Sequence, residues 1–477
     1  IADTARKELE RLGPLPDDTW REIWDRQTTK LWEIFWAAAS LKGRSYEKAY
    51  EEADRVLTGV KRTRIFEQAE ERGLKDSLSG RREALHTRDR SAKDYWKAIA
   101  GKVPAAKLRR EGRERLDAIG AVKRFSDLAE RGRFPSTSTI ASKEFLNNAK
   151  EQLKRYREAV EELLGAYLYR IQSHDSEWPY DGDLLYLETL AENRLLDSYG
   201  MKKPGPALLE KARCELRSVY ELKMRPSPYY GLIVMDGDDM GERINRCIKE
   251  ENPEEAHRRL SRSLLDFSRC VPDIVKEYGA SLVYNGGDDV VVLVQLSETL
   301  PLAQALVERF EAVTRGTASA GVAIAHHLYP LDAVVRAARD AEAQAKKVEG
   351  KASVCVTVLK RSGVMTMMRS RWRDFHPVFN QLVNLFKEED TLKAALAARF
   401  AYDVAQAANG LPQADEKLRA ELKRLLTRHR NNHHPKFESE EWTERLYQWA
   451  ATLPEEAEEL GRWLILARFI ARGGAEE

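Results

Sequence analysis

SLVYNGGDDVVVLVQL, residues Ser281 to Leu296, decides how this chain is read. Two apolar runs, Leu282–Tyr284 and Val290–Val294, flank Asn285-Gly286-Gly287-Asp288-Asp289. Runs rich in β-branched residues, joined by a turn that contains Gly-Gly, predict a buried hairpin. Its tip carries two adjacent carboxylates. Two like charges about 4 Å apart repel by roughly 4 kcal/mol at an effective dielectric of about 20. A pair held between buried strands therefore calls for a cation, and the chemistry indicated is a divalent-metal site for phosphoryl transfer. An ordinary polar hairpin tip is the alternative that these four residues alone leave open.

The flanking sequence builds a domain around the hairpin. Upstream, Tyr229–Met235 (YYGLIVM) reads as a strand that exits through Asp236-Gly237-Asp238-Asp239-Met240-Gly241. Helices are expected over Glu242–Glu251 and Glu255–Tyr278. Downstream come a helix at Leu302–Arg315, a strand at Thr317–Ala325, a helix at Leu331–Val348 and a strand at Ser353–Leu359. The order β-α-α-β-β-α-β-α-β predicts a ferredoxin-like palm, a split βαβ core with additions. Asp236, at the end of one central strand, is placed to meet Asp288 and Asp289 on its neighbour as catalytic residues and metal ligands. Two metals can activate an attacking hydroxyl and stabilise the leaving pyrophosphate. Oxygen ligands of this kind suit Mg²⁺ or Mn²⁺. Gly237-Asp238, whose amides open onto the next helix, and Gly286-Gly287 are the expected nucleotide-contacting backbone. Lys346, Lys347 and Lys351 lie where a terminal phosphate could be held, or are a solvated helix end.

The chain has 477 residues, 43% hydrophobic and 33% charged, with a net charge of +2. That length suggests several domains. The expected division is a 1–145 N-terminal α/β domain with a basic segment, a 146–226 helical domain, the 227–362 palm and a 363–477 C-terminal helical domain without strands. The fold class is α+β. No apolar run approaches the roughly 20 residues of a membrane helix, and Ile1–Gly13 lacks a signal peptide's apolar region. Cys214, Cys247, Cys270 and Cys355 are isolated in sequence, which suggests reduced thiols in a cytoplasmic protein. Trp20, Ile23, Trp24, Gln27, Leu31, Ile34 and Phe35 form a helical stripe, although Glu33–Leu41 could instead be a buried strand. Phe134–Ala141 is expected to cap the following helix. His174-Asp175 reads as a loop, and His429, His433 and His434 as a basic helix end.

Four further stretches carry a family resemblance. MDGDDMGERI, YNGGDDVVVLV, SAGVAIAHHLYPL and AKKVEGK resemble the large palm-domain subunit of type III CRISPR effector complexes, with the Cmr-type (III-B) branch fitting best. The likeness extends to WDRQTTKLWEIFWAA, AVKRF and FPSTSTIA. The resemblance implies a cyclic-oligoadenylate synthase that polymerises ATP when the assembled complex binds target RNA. It implies Asp236, Asp288 and Asp289 as metal ligands, the neighbourhood of Ser319 to Gly321 lining the nucleotide pocket, and Lys346 or Lys351 on the triphosphate. Implied partners are other effector subunits, a small helical one among them, with guide RNA and target RNA; no membrane is implied.

The sequence departs from that family in two places. Asp76, Ser79, Asp117 and Gly120 stand where relatives hold four zinc-binding cysteines, so structural zinc is not expected; hydrogen bonds from local amides to Asp76 and Asp117 are expected in its place. The chain reads as starting after a His-Asp nuclease domain, so DNA cleavage is not expected of it. A catalytically silent scaffold, a palm enzyme joining AMP to another acceptor, and a bacterial diguanylate-type cyclase compete with the synthase reading. The last would want an acidic residue and then Phe after GGD, whereas Val290 follows Asp289. Two surfaces are expected to bind partners. Arg55–Arg124 holds 20 Lys and Arg against 10 Asp and Glu, a candidate phosphate-backbone surface. Trp442, Leu446 and Trp449 form a stripe where a partner helix could dock, or pack within their own bundle.

Overall fold

The computed structural model describes the chain except residues 30, 64–69, 105–106, 127–133, 171–177, 223–224, 361–364, 389–393, 432–436 and 475–477. His174-Asp175, His433 and His434 lie outside the described residues. The chain forms two compact units, residues 1–134 with 149–224, and residues 135–148 with 225–477.

The second unit is built on one sheet. In chain order it runs β1 (Tyr229–Gly237), α1 (Met240–Ile248), α2 (Pro253–Glu277), β2 (Ser281–Asn285), β3 (Val290–Gln295), α3 (Thr299–Thr314), β4 (Ala318–His326), α4 (Leu331–Ala345), β5 (Ser353–Leu359) and β6 (Met365–Arg371). The strands lie in the order β2-β3-β1-β4-β5-β6. The β4–β5 pair is parallel and the other neighbours are antiparallel. A parallel pair needs a crossover, which α4 supplies. The predicted order of elements is met, with boundaries shifted by a few residues.

Both faces of the central strands are covered, which is why they read as continuous apolar runs rather than alternating ones. Ile233, Val292, Val322 and Val356 pack against Phe267 of α2 and Leu306 and Phe310 of α3. On the other face, Leu232, Leu293 and Ala323 meet Val334 and Ala338 of α4. Gly321 permits that second layer, because a Cβ there would collide with the backbone of Ala338 and Glu342. Ser136 accepts a hydrogen bond from the Thr139 amide at 3.0 Å and so caps the helix Thr137–Ala141, as its sequence predicts.

One strand was not expected. Residues beyond 363 were read as strandless, yet β6 pairs antiparallel with β5, with Val356 opposite Met368 and Ser353 opposite Arg371. Its mixture of Met, Thr, Ser and Arg, with no apolar run, hides the strand. Arg369 is neutralised by Glu455 and by the fully buried Glu459. Both glutamates belong to the C-terminal helices, α5 (Trp372–Phe386), α6 (Arg399–Ala408), α7 (Glu416–His429), α8 (Ser439–Ala450) and α9 (Glu456–Ala471), or the turn just before α9. These helices share one hydrophobic core with the sheet. Trp442, Leu446 and Trp449 are part of that core. The Trp449 ring lies 5.9 Å from Trp463 and 6.4 Å from Phe375. The stripe is therefore inward packing and offers no docking face. The His429 Nε2 sits 2.8 Å from an Asp403 carboxylate oxygen.

The first unit is helical among its described residues. Its helices include Ala2–Leu12, Asp18–Thr28, Tyr46–Arg62, Ala92–Ala100, Ala118–Phe125, Leu153–Leu164 and Pro206–Leu222. Trp20, Trp24, Tyr95, Trp96 and Phe125 fill one core, and the Trp20 indole donates to the Tyr95 hydroxyl at 2.8 Å. The α/β layer expected over 1–145 is not found: among the described residues only the isolated bridge Lys75–Glu83 is β-like. The second half of the tryptophan stripe is neither helix nor buried strand. Leu31 and Ile34 of the stripe are 39% and 84% exposed, and the neighbouring Trp32 and Trp36 are 83% and 77% exposed. A strand needs a ladder of partners, and no described strand of this unit offers one.

Asp76 accepts from the amides of Leu78 (2.9 Å) and Ser79 (2.6 Å) and from the Ser79 hydroxyl (2.7 Å). Asp117 caps the helix Ala118–Phe125 through the Gly120 amide at 2.6 Å. The two turns are joined where the Ser77 amide donates to the Arg115 carbonyl at 2.8 Å. These are the expected local hydrogen bonds. The basic segment is less outward-facing than its composition implied. Arg113 pairs with Asp197, Arg110 donates to the Ala100 carbonyl, and Arg124 reaches Glu114 and the Lys107 carbonyl. All four cysteines are free thiols.

Candidate active site

The site forms where the hairpin tip folds onto the end of β1. The Gly286 amide donates to the Asp289 carbonyl at 2.8 Å, which leaves Gly287-Asp288 as a two-residue tip. Gly287 has φ +100°, a region that only glycine enters without strain. The Asp288 carbonyl accepts from the Gly237 amide at 3.2 Å. A Cβ at Gly237 would lie 3.1 Å from that of Asp288 and 3.0 Å from the Phe310 ring, so glycine is what lets the tip close down. The hairpin is also tied to α2: the Asn285 amide group donates to the Ser268 carbonyl at 2.8 Å, and its oxygen accepts from the Ser268 hydroxyl at 3.1 Å. Met235 stands opposite Val290 in the ladder. That register brings Asp236 beside Asp288 and Asp289.

The three carboxylates feel one another. Burial pushes the Asp288 carboxyl above the usual range, and Asp236 adds to the effect. Burial likewise raises Asp289, helped by Asp236, Asp288 and Glu342, while Arg339 pulls it down. The counter-charge comes from α4 and the turn after it. The Lys346 ammonium bridges Asp236 and Glu342, the latter at 2.8 Å. Burial disfavours its charge, but the two carboxylates outweigh that and hold the ammonium above its ordinary range.

A strained loop carries the second predicted lysine. Gly350, Lys351 and Ala352 have φ of +80°, +52° and +47°, and Asp239 has +54°. A non-glycine residue in that region costs on the order of 1–2 kcal/mol. Two contacts hold the loop: Lys351 pairs with Asp239, and the Ala352 amide donates to Asp238 at 3.0 Å. Asp238 is 2% exposed and also accepts from the Ser319 hydroxyl at 2.8 Å. Ser319 is fully buried. The expectation that Asp238 and Ser319 to Gly321 face the nucleotide is therefore corrected. They form the wall behind the site, because their polar groups bind each other and α4 covers Gly321.

Among the described residues, no three carboxylate, imidazole or thiolate groups are gathered around one point as a ready-made cage. Asp236 is instead bound to Lys346. The donor set nevertheless fits a hard divalent cation: all oxygen, crowded enough to raise two acids, and already holding one cation.

Residues 229–355 match the family model described as Cas10/Cmr2, second palm domain. That segment is what the chain shares with the Cas10/Cmr2 family. The resemblance drawn from the motifs is borne out over that segment. Across 300 residues the chain is 30% identical to the CRISPR system Cmr subunit Cmr2 of Pyrococcus furiosus, covering 56% of this chain and 33% of that protein. A 79-residue stretch is 35% identical to the CRISPR system single-strand-specific deoxyribonuclease Cas10/Csm1 (subtype III-A) of Mycobacterium tuberculosis, covering 16% of this chain and 10% of that protein. The chain thus spans about a third of the length of the Cmr2 protein it matches. Two solved structures share its fold over 90% of its length. They are the type III-B Cmr-beta complex in the apo state (TM-score 0.53, 15% identity, 61% of that chain) and bound to cognate target RNA (0.54, 14%, 62%). Among the described residues, no helix is long and apolar enough to cross a membrane.

The α4 stripe escaped the sequence reading. Arg339, Glu342 and Lys346 recur at i, i+3 and i+7, one helical face. Tracing that spacing back from Lys346 would have found the other two.

Proposed function

We propose that the Cas10/Cmr2 palm of this chain is a nucleotidyl-transfer centre that converts ATP to cyclic oligoadenylate. In this reading the chain is the catalytic and scaffolding subunit of an RNA-guided type III-B assembly, and the palm works when target RNA is bound. The observation that carries the reading is the tip of the hairpin, where Asp288 and Asp289 are pressed against the end of β1 beside Asp236 and both held above the usual carboxylate range. Like charges kept together at such a cost cluster at functional sites, and an all-oxygen donor set suits a divalent cation.

Asp236, Asp288 and Asp289 would hold Mg²⁺ or Mn²⁺, which supplies Lewis-acid stabilisation of the phosphoryl oxygens when bound. In each step a ribose hydroxyl oxygen bonds to the α-phosphorus of an ATP, the bond to pyrophosphate breaks, and the hydroxyl proton leaves to solvent. Gly237 lets the hairpin tip reach the end of β1. The first turn of α1 has no side-chain cap at Asp239, so its amides can face a phosphate. Glu342 would hold Lys346 in place were Asp236 to ligate the cation. The Asp238–Ser319–Ala352 contacts keep the wall rigid. The Cmr-beta structures bear on the partners: one of them is described as bound to cognate target RNA, which supports guide and target RNA and other effector subunits as partners here. The one observation favouring a silent scaffold is that the carboxylates are not gathered in this structure.

The test is to incubate the assembled complex with labelled ATP, Mg²⁺ and target RNA and resolve products by mass. Cyclic oligoadenylate that depends on target RNA is expected. No product, or one of AMP joined to another acceptor, would overturn the assignment.

A further inference from the structure

We infer that Arg339 is the guanidinium that grips the polyphosphate of the incoming nucleotide, a place the sequence assigns to lysines. This rests on the palm reading above. Lys346 and Lys351, the two lysines that the family resemblance places on the triphosphate, are already engaged by carboxylates. Lys346 lies between Asp236 and Glu342, and Lys351 is paired with Asp239 across the strained loop. Arg336, one turn earlier on α4, is bound to Asp332 at 2.8 Å. Arg339 is different: it is exposed, and among the described residues it has no carboxylate within ion-pair reach.

Its position follows from the helix. Lys346 touches Asp236, which fixes the face of α4 that looks onto the carboxylates. Glu342 touches Lys346 and lies on that face, and Arg339 is the next residue along it, three positions before Glu342. Close packing of α4 on Gly321 of β4 holds the helix in this register. The field of Arg339 at Asp289 agrees with the placement. An unpaired guanidinium on the helix face that carries Glu342 and Lys346, near Asp289 but not joined to it, suits a ligand that brings its own negative charge. Triphosphate is such a ligand, and the planar fork of arginine binds two of its oxygens at once.

The experiment measures equilibrium binding of ATP, AMP and adenosine to the full chain in Mg²⁺, for the wild type, Arg339→Ala and Arg339→Lys. Charge-assisted contacts of this kind are worth roughly a 10- to 100-fold change in affinity. Arg339→Ala is expected to weaken ATP by that factor while leaving adenosine within about twofold. Arg339→Lys should recover part of the loss, and the thermal midpoint should not move. ATP affinity within twofold of wild type, or an equal loss for ATP and adenosine, would overturn the role of Arg339 and leave the palm reading standing. A wild-type chain that binds no ATP would overturn both.

Discussion

Asp76 in the N-terminal unit and Asp288 and Asp289 in the palm all sit at turns, and they differ in what surrounds them. Burial works against the charge of Asp76, but the Ser79 hydroxyl and the amides of Ser79, Leu78 and Arg82 outweigh it and hold the acid below its usual range. Around the hairpin tip, burial is reinforced by neighbouring carboxylates and the acids rise. The same residue type at a turn is thus a stronger acid where amides converge on it, and a weaker one where other acids do. Neighbouring donors, rather than the motif alone, separate the two.

The sharpest way to break this comparison is on activity. Asp288→Ala with Asp289→Ala should lower nucleotide product at least about 10³-fold, roughly 4 kcal/mol of barrier, while complex assembly persists. Near-normal ATP turnover by that variant would remove the carboxylates from the chemistry. Next comes stability. Asp76→Ala should destabilise the N-terminal unit by about 2 kcal/mol, since several buried amides lose their acceptor together. Because the folded acid is the stronger one, its contribution is full above the unfolded value near pH 4 and fades as pH falls through the lower folded value. Melting curves of wild type and Asp76→Asn should therefore converge as pH falls below about 4; a gap that stays unchanged on acidification would contradict the hydrogen-bond account.

The palm pair should respond with the opposite sign. Asp288→Asn with Asp289→Asn removes buried like charges and should raise stability at neutral pH by about 1 kcal/mol without added divalent ion. A lowered melting temperature would show that the acids are structural after all. The smallest effect concerns charges in the basic segment. Arg113 is held by Asp197, so Arg113→Gln should shift stability by no more than about 0.5 kcal/mol and leave RNA binding unaltered. Arg109 is exposed. If that surface faces RNA, Arg109→Gln should reduce the salt slope of binding by roughly 0.7. Equal slopes for both variants would make the segment a solvated face.

The palm was legible because its strands are buried on both sides, so Tyr229–Gly237 and Ala318–His326 announce themselves as apolar runs ending at Asp236 or a histidine pair. β6 was not, because Arg369 is neutralised by glutamates some 90 residues away, a pairing invisible to local pattern. Asp236, Asp288 and Asp289 could be named from sequence. The burial of Ser319 and Asp238 could not, since it depends on α4 lying across Gly321. In the first unit, Trp20 and Trp24 follow helical spacing into the core, whereas Trp32, Ile34 and Trp36 carry the same residue types onto the surface. Periodicity reports an apolar face, and says nothing of whether anything covers it.

The buried Glu459 that receives Arg369 has a practical corollary. β6 is the seam between sheet and helical bundle, and cutting the chain near residue 362 to isolate the palm would peel that seam open. The edge of β5 would then present its unpaired ladder groups, and the apolar underside of the sheet would lose its cover of Phe375, Phe379 and Trp463. Such a fragment would self-associate edge to edge. The smallest well-behaved form of this palm unit therefore runs through α9 to the helix end at Ala471.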